Sequence, residues 1–378
     1  YGPGLDEALS EHPHGTVWRR RAVMSAWEVI RREFETRHMR AFMGWMAFQT
    51  AQPLDSPGSG YLAYSLVGGR QRRSWSIPVG GSGSLPKALA AAIEAHGGTV
   101  VTDTRVEALI VEDGRCVGVE TSAGNQYRAR QAVVSTIHVK SLVDMAPAEL
   151  WGDDFLYGVD TYDVGLSSFA SYYATTEPPR MVAIEGEPVE AVSAGYAPWA
   201  EDVIEFARAL RQGRLYRPGT WLLFATPTIS DPSRAPAGYH TVKILSMAPY
   251  DAPEDLGDWE RGKEVLASEH LQVLQECAPN LTDDKILARK AKSPLDIEAT
   301  NPHMWRGTIH GGDRGLAYGG GQRPVPGWAQ HRMPIPGLYQ TGATTHPGGS
   351  ITGAPGRNAA MVILDDLGIS IEQVVAKV

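Results

Sequence analysis

Residues 336–360, PGLYQTGATTHPGGSITGAPGRNAA, hold six glycines, three prolines and one histidine, and lead into an apolar tail. So much special backbone chemistry beside a helix leaves few folds open. Leu338-Tyr339-Gln340 reads as a short strand, and Gly342-Ala343 as a tight exit from it. Gly348, Gly349 and Gly353 allow the backbone to come close to something else. Pro355 stands in the first turn of the following helix, where its missing N–H costs little. The free N–H groups of that turn form a partial positive site that favours an anionic or electron-rich ligand edge. The alternative is a glycine-rich turn with no ligand.

The chain has 378 residues, enough for two domains or one large interleaved fold. Hydrophobic content of 43% and charged content of 21% fit a globular protein. Net charge is −8, and the densest basic cluster is Arg19-Arg20-Arg21, so nucleic-acid binding is not expected. The two cysteines, Cys116 and Cys277, show neither disulfide-scaffold nor zinc spacing; they suggest a reducing, cytoplasmic setting and no metal. No apolar run is long enough for a membrane span and no signal peptide is visible. A first residue of Tyr1 rather than Met hints that something upstream was removed or is encoded elsewhere.

Residues 16–48 read as helical, with Trp27, Ile30, Phe34, Met39, Phe42, Met43 and Met46 at three-and-four spacing. Such a stripe faces a core or walls an apolar substrate cavity. Residues 51–60 form a turn-rich connector. A glycine loop at Gly80–Gly83 opens a helix over about 85–96, which Gly97-Gly98 ends. Short strands follow, with Asp113-Gly114 as a hairpin turn, and then an apolar strand at 132–135. From 156 to about 294 the pattern becomes antiparallel strands and amphipathic helices, a separate sheet-plus-helix domain.

The first glycine loop starts like GxGxxG but has Pro86 in the third glycine position, so it fails as a dinucleotide fingerprint. No GxSxG, Walker loop or HExxH occurs. His346 lies inside the C-terminal glycine loop, as a candidate catalytic base or as a histidine bonded to local backbone. His303 and His310 are seven apart, but Gly307 and Gly311 argue for a loop there; the pair is a weak metal candidate or a cavity lining beside Trp305.

Three segments together, residues 79–121, 129–136 and 337–360, resemble the phytoene desaturase-like FAD-dependent oxidoreductases within the wider amine oxidase-like group. DPSRAPAGYHTVKILSMAPY (231–250) is similar to the branch that contains pyridine nucleotide-disulfide oxidoreductase domain-containing protein 2. The resemblance covers nearly the whole chain and implies FAD as cofactor. It places Val106 where relatives touch the adenine through the backbone. Ser135 and Thr136 fall at the end of the strand near the pyrophosphate, and Gly342 and Ala343 beside the ribityl-pyrophosphate. Ile351, Thr352, Gly353 and Ala354 fall where the last helix points its N-terminus at the flavin pyrimidine edge. There a helix dipole stabilises the negative charge of the reduced ring. Gly349 joins this cofactor-binding set as a close-approach glycine.

Family members begin with a strand and a GxGxxG loop; this chain shows no such segment at its start. The expected fold is therefore α/β: a discontinuous FAD-binding, glutathione reductase-like domain lacking its N-terminal βαβ unit, plus an α+β substrate domain with an antiparallel sheet. Expected boundaries are 1–75 (substrate domain, helical part), 76–150 (FAD-binding), 151–299 (substrate domain, sheet and helices) and 300–378 (FAD-binding). An unpaired sheet edge and bare apolar surface imply a companion polypeptide carrying the Rossmann segment, or a cleaved product, and an oligomer. The implied activity is removal of hydride from a small or medium, largely apolar organic molecule. The alternatives are a non-catalytic partner subunit and a carotenoid desaturase or isomerase.

Overall fold

The structure is a computed structural model that describes residues 5–72, 76–183 and 185–375. Six helices come first: α1 Leu5–Glu11, α2 Gly15–Val23, α3 Ala26–Glu33, α4 Arg37–Phe48, α5 Leu62–Arg72 and α6 Ser84–Ala95. Then come β1 Val106–Glu112, β2 Arg115–Thr121, β3 Gln126–Arg128 and β4 Val133–Ser135, followed by α7 Val139–Leu142 and α8 Asp153–Asp160. The middle of the chain holds β5 Ser168–Thr175, β6 Arg180–Met181, β7 Val189–Glu190, β8 Ser193–Tyr196, α9 Ala200–Arg211, β9 Leu222–Ala225, β10 His240–Met247, α10 Trp259–Cys277, β11 Ile286–Lys292 and α11 Pro294–Thr300. β12 Leu338–Gln340, α12 Ala354–Asp366 and α13 Ile371–Val375 close it.

The chain divides into two compact units, one of Tyr1–Pro13, Val101–Gly165 and Asn301–Val378, the other of His14–Val100 and Leu166–Thr300. The chain passes between the units at 13/14, 100/101, 165/166 and 300/301, whereas the expected boundaries are 75/76, 150/151 and 299/300. Helix α6 groups with the second unit. The crossing at 165/166 comes after α8, because Phe155 and Val159 of that helix pack with Trp151, Val139 and Leu338 into the core of the first unit.

In the first unit, β1 and β2 pair antiparallel and Asp113-Gly114 turns between them with φ of 49° and 73°. Positive φ at both central residues is the type I′ geometry that suits the twist of the strands. β3 adds to β2, and β4 pairs in parallel with β12: Val133 with Leu338, Val134 with Tyr339, Ser135 with Gln340. The expected strands at 132–135 and 338–340 are thus neighbours.

In the second unit the sheet order is β11-β5-β10-β9-β8 with antiparallel pairing throughout. One face buries Tyr173, Phe224, Val242 and Ile244 against Leu271 and Leu274 of α10. The helical run expected over 16–48 is three helices. Ser25 and Glu28 form a reciprocal capping box that starts α3, and Thr36 Oγ1 accepts from Met39 N to start α4. Of the expected stripe, Ile30, Met43 and Met46 are buried, whereas Met39 and Phe42 are 42% and 44% exposed.

Candidate functional site: the glycine loop beside two parallel strands

β4 and β12 run side by side, and their carboxyl ends open into adjacent loops. Thr341 N donates to the Ser135 carbonyl (2.8 Å), so the pairing continues one step past the strand. The Gln340 amide donates to Ile137 O (2.6 Å) and Thr344 Oγ1 (3.0 Å), tying both loops to one side chain. Open α/β sheets place ligands at the carboxyl ends of parallel strands.

The sequence-selected residues divide between two places in this unit. Val106, Ser135 and Thr136 line one groove of about 430 Å³, walled by Leu109, Val119 and Tyr127 of the meander. Ser135 is buried and its Oγ accepts from Ile137 N (3.1 Å); Thr136 is exposed. Gly342, Ala343, Gly349, Ile351, Thr352, Gly353 and Ala354 follow along the second loop and the start of α12. Gly342 has φ 89°, and a Cβ there would sit 3.5 Å from Thr136 O and 3.6 Å from His303 Nε2. The loops after β4 and β12 therefore touch. Gly349 is a glycine for the protein's own sake: a Cβ would come within 2.7 Å of His310 Cα. Gly353 is the left-handed N-cap of α12 (φ 69°), with no atom within 4 Å of an added Cβ. Ala354 N donates to Thr352 Oγ1 (3.2 Å), and Ile351 is 86% exposed beside this helix start.

His346 is exposed on the loop and faces a different cavity, of about 290 Å³, with His331 and Asn358. Asn358 Nδ2 donates to its carbonyl (3.4 Å). Partial burial and then Arg323 lower its pKa, so the imidazole is neutral near pH 7.

Sequence reading missed Arg323. It is 2% exposed, and its guanidinium donates to backbone carbonyls only: Ala343 (2.6 Å), His310 (2.6 Å), Asp313 (2.9 Å) and Tyr318 (3.3 Å). A planar fork with fixed donors is suited to gathering several carbonyls at once. Arg323 thereby clamps the 310–313 segment to the glycine loop, and its Cζ lies 5.8 Å from the Tyr162 ring centroid. Tyr162 donates to Gly311 O (3.0 Å), and burial pushes its pKa up to about 12.

His303 and His310 lie in turns, as Gly307 and Gly311 suggested. His310 Nδ1 meets Gly349 O (3.1 Å). His138 caps α7 through Lys140 N and stacks on Trp305 with centroids 5.9 Å apart. Burial, helped by His303 and Lys140, holds the His138 pKa down to about 3; burial, helped by Arg314, holds that of His310 at about 4. Among the described residues no group of three His, Cys, Asp or Glu is placed to hold a metal.

Several buried polar atoms of this region have no protein partner: Thr341 Oγ1, Gln340 Oε1, His303 Nδ1 and His310 Nε2. Buried polar groups are nearly always hydrogen-bonded, so these atoms, two at the end of β12 and two on the 303–310 segment, are free to meet water or a polar ligand. With them come the contact-free Gly353, the first-turn run Ala354-Pro355-Gly356 and an exposed Ile351. These features fit an extended cofactor with a polar body and an apolar ring.

A family model described as flavin containing amine oxidoreductase matches residues 19–364. The chain belongs to that family. The cofactor is FAD, in agreement with the fit of the loop pair.

Pyridine nucleotide-disulfide oxidoreductase domain-containing protein 2 of Rattus norvegicus is 28% identical over 82% of this chain and 55% of its own length. A limonene dehydrogenase subunit of Castellaniella defragrans is 28% identical over 77% and 56%. Phytoene desaturase (lycopene-forming) of Pseudescherichia vulneris is 23% identical over 92% and 67%. The chain spans little more than half the length of the first two. Among solved structures, an oxidoreductase from Methanosarcina mazei has a TM-score of 0.59 at 17% identity over 96% of this chain and 72% of its own. Putrescine oxidase bound to putrescine scores 0.55 at 13% identity, over 97% and 72%. These likenesses show a shared mixed helix-and-sheet fold. Among the described residues no helix is long and apolar enough to cross a membrane.

Proposed function

We propose that this chain forms the flavin-ring side and the substrate side of an FAD-dependent oxidoreductase that removes hydride from a small or medium, largely apolar organic molecule. The observation that carries the reading is the pair of loops at the carboxyl ends of β4 and β12, with unpartnered buried polar atoms and an open helix start. Bound FAD supplies the hydride-accepting chemistry. In this reading the groove of Val106, Ser135 and Thr136 takes the adenine and pyrophosphate side. Gly342, Ala343 and Gly349 shape the loop along the ribityl chain, and Ile351, Thr352, Gly353 and Ala354 meet the flavin ring. The first-turn amides of α12 favour negative charge on the reduced ring. Arg323 positions the loop; His346 borders the separate cavity of His331 and Asn358, and this reading gives it no proton-transfer role.

The substrate side is the open face of the five-stranded sheet. Two cavities, of about 700 and 720 Å³, share Ile77, Val192 and Ser193 in their linings, and the second is walled by Phe42, Trp45 and Met46. Both are in the size range of small-molecule sites. The cavity-wall reading of the methionine and aromatic stripe thus applies to Phe42 and Met46, and the core reading to Ile30 and Met43.

The proposal includes a polypeptide segment bearing a GxGxxG strand–loop–helix, from a longer form of this protein or from a companion chain. Two parallel strands form an isolated sheet here, whereas parallel sheets are ordinarily covered on both faces. Helix α6 buries none of its residues, and its Leu85, Leu89 and Ile93 are 40%, 59% and 51% exposed at four-residue spacing. The limonene dehydrogenase relative is itself named as one subunit of its enzyme, which favours a companion chain. We place the protein in the cytoplasm on its cysteine usage.

The test is Gly353→Trp against Gly353→Asn. Asn tolerates the left-handed conformation that Gly353 adopts, so it preserves the cap. The Trp variant is expected to lose flavin while the Asn variant keeps it. Equal flavin content in the two variants would place the ring elsewhere.

A further inference from the structure

On the open face of the sheet, β-register sets five side chains in one row across five strands. Lys290 of β11 is paired with Tyr172 of β5, which is paired with Lys243 of β10. Lys243 is paired in turn with Ala225 of β9, and that with Ser193 of β8. All five line the 700 Å³ cavity.

Its lining contains four cations and no carboxylate. Two of the cations are neutralised. Arg234 is bridged to Asp231 (2.8 Å) and donates to Pro78 O (2.7 Å). Arg289 pairs with Tyr173 in register, and its guanidinium turns to Glu264 (3.5 Å) and Ser268 of α10. Lys243 and Lys290 have no such carboxylate among the described residues. Lys243 is half-buried, and its ammonium lies 5.6 Å from the Tyr172 ring centroid. Burial alone lowers its pKa, with no opposing carboxylate.

A half-buried ammonium without a counter-ion costs stability, and among the described residues the Tyr172 ring offsets that cost only in part, with no carboxylate in the cavity lining. The remaining walls are mostly apolar, with Ile77, Val192, Leu223 and Pro227 among them, and carry the hydroxyls of Ser82, Ser193 and Thr241. Their chemistry complements an apolar body, and the Lys243–Tyr172–Lys290 row complements one negative head group. A protonated amine would meet two like charges.

We propose that this cavity binds an apolar organic acid through its carboxylate, with Lys243 as the primary anion contact and Lys290 as the secondary one. The inference rests on the substrate-side reading above and narrows it to carboxylates. It assigns Lys243 a specificity role, and hydride loss elsewhere on the molecule leaves the carboxylate intact.

The experiment is isothermal titration of the full chain, with whatever polypeptide accompanies it, using decanoate, 1-decanol and decylamine. Decanoate is expected to bind at least tenfold more tightly than the alcohol, and decylamine most weakly. Lys243→Met is expected to reduce decanoate to the affinity of 1-decanol; Lys243→Arg keeps the preference, and Lys290→Met lowers it severalfold. Removing an uncompensated charge leaves the melting temperature of Lys243→Met equal or higher, which separates loss of recognition from loss of fold. Equal binding of acid and alcohol, or unchanged preference in a folded Lys243→Met protein, overturns the inference. Acidic groups of a companion chain covering the lysines would give that same absence of preference. The flavin spectrum is read separately. Bound flavin without carboxylate preference refutes only the inference; Lys243-dependent decanoate binding in a protein that never takes flavin refutes only the oxidoreductase reading.

Discussion

Arg323 gives the sharpest expectation about what holds the glycine loop in place. Its side chain serves four carbonyls, and these are not equally dependent on it. His310 O also accepts from Gly349 N (3.2 Å), and the bond to Tyr318 O is long at 3.3 Å. The loss on substitution therefore falls mainly on Ala343 O and Asp313 O. A buried acceptor left unpaired costs about 1–3 kcal/mol, so two of them cost about 2–6 kcal/mol. Arg323→Met also removes a buried charge, which returns part of this, giving a net loss of about 3 kcal/mol. Arg323→Lys keeps the charge but has one nitrogen in place of the fork, so it should lose about as much. Urea denaturation followed by tryptophan fluorescence reads the effect directly. A lysine variant within about 0.5 kcal/mol of the wild type would refute the clamp, since that is the scatter of neutral surface changes.

Three further expectations follow from other parts of the chain. His138, His270 and His310 are held neutral by burial, at about 3, 3 and 4. Depressed folded values mean the unfolded chain takes up these protons first. The associated stability is full above about pH 6.5 and falls as pH drops toward 3–4, by about 1.4 kcal/mol per pH unit for each histidine; denaturation midpoints at pH 7 and 5 check it. Asp366 accepts from Arg332 (2.7 and 2.8 Å) and Tyr339 (2.7 Å), which hold its pKa near 2 and fasten α12 to β12. Asp366→Asn should weaken that end of the helix, seen as faster amide exchange in α12 with little change elsewhere. Leu89→Glu with Ile93→Lys should leave the unfolding midpoint of this chain nearly unchanged, because both residues are already exposed, while abolishing association with the segment proposed to cover α6.

How much of this was readable beforehand depends on whether the signal is local. The strand at 338–340, the loop and the helix after Gly353 were legible because each depends on glycine and proline chemistry within a few residues. The Asp113-Gly114 hairpin was legible for the same reason. The breaks that divide 16–48 into three helices were present as Ser25-x-x-Glu28 and Thr36, but the long apolar stripe masked them. Arg323 carries no local signal: it sits in a glycine- and proline-rich stretch, and its four acceptors come from positions 310, 313, 318 and 343. The Lys290–Tyr172–Lys243 row was equally hidden, because it exists only once the register of β11, β5 and β10 is set. His346 was chosen for lying inside the right loop, yet it faces the cavity of His331 rather than the groove of Val106.

The central claim is that the loop after β12 and the start of α12 hold the flavin ring. Its most direct test is the visible absorption spectrum of the protein purified with any accompanying polypeptide, before and after denaturation. The account predicts a flavin spectrum that denaturation converts to that of free FAD, and its loss in Gly353→Trp. A colourless wild-type protein, or flavin retained in full by Gly353→Trp, would contradict it.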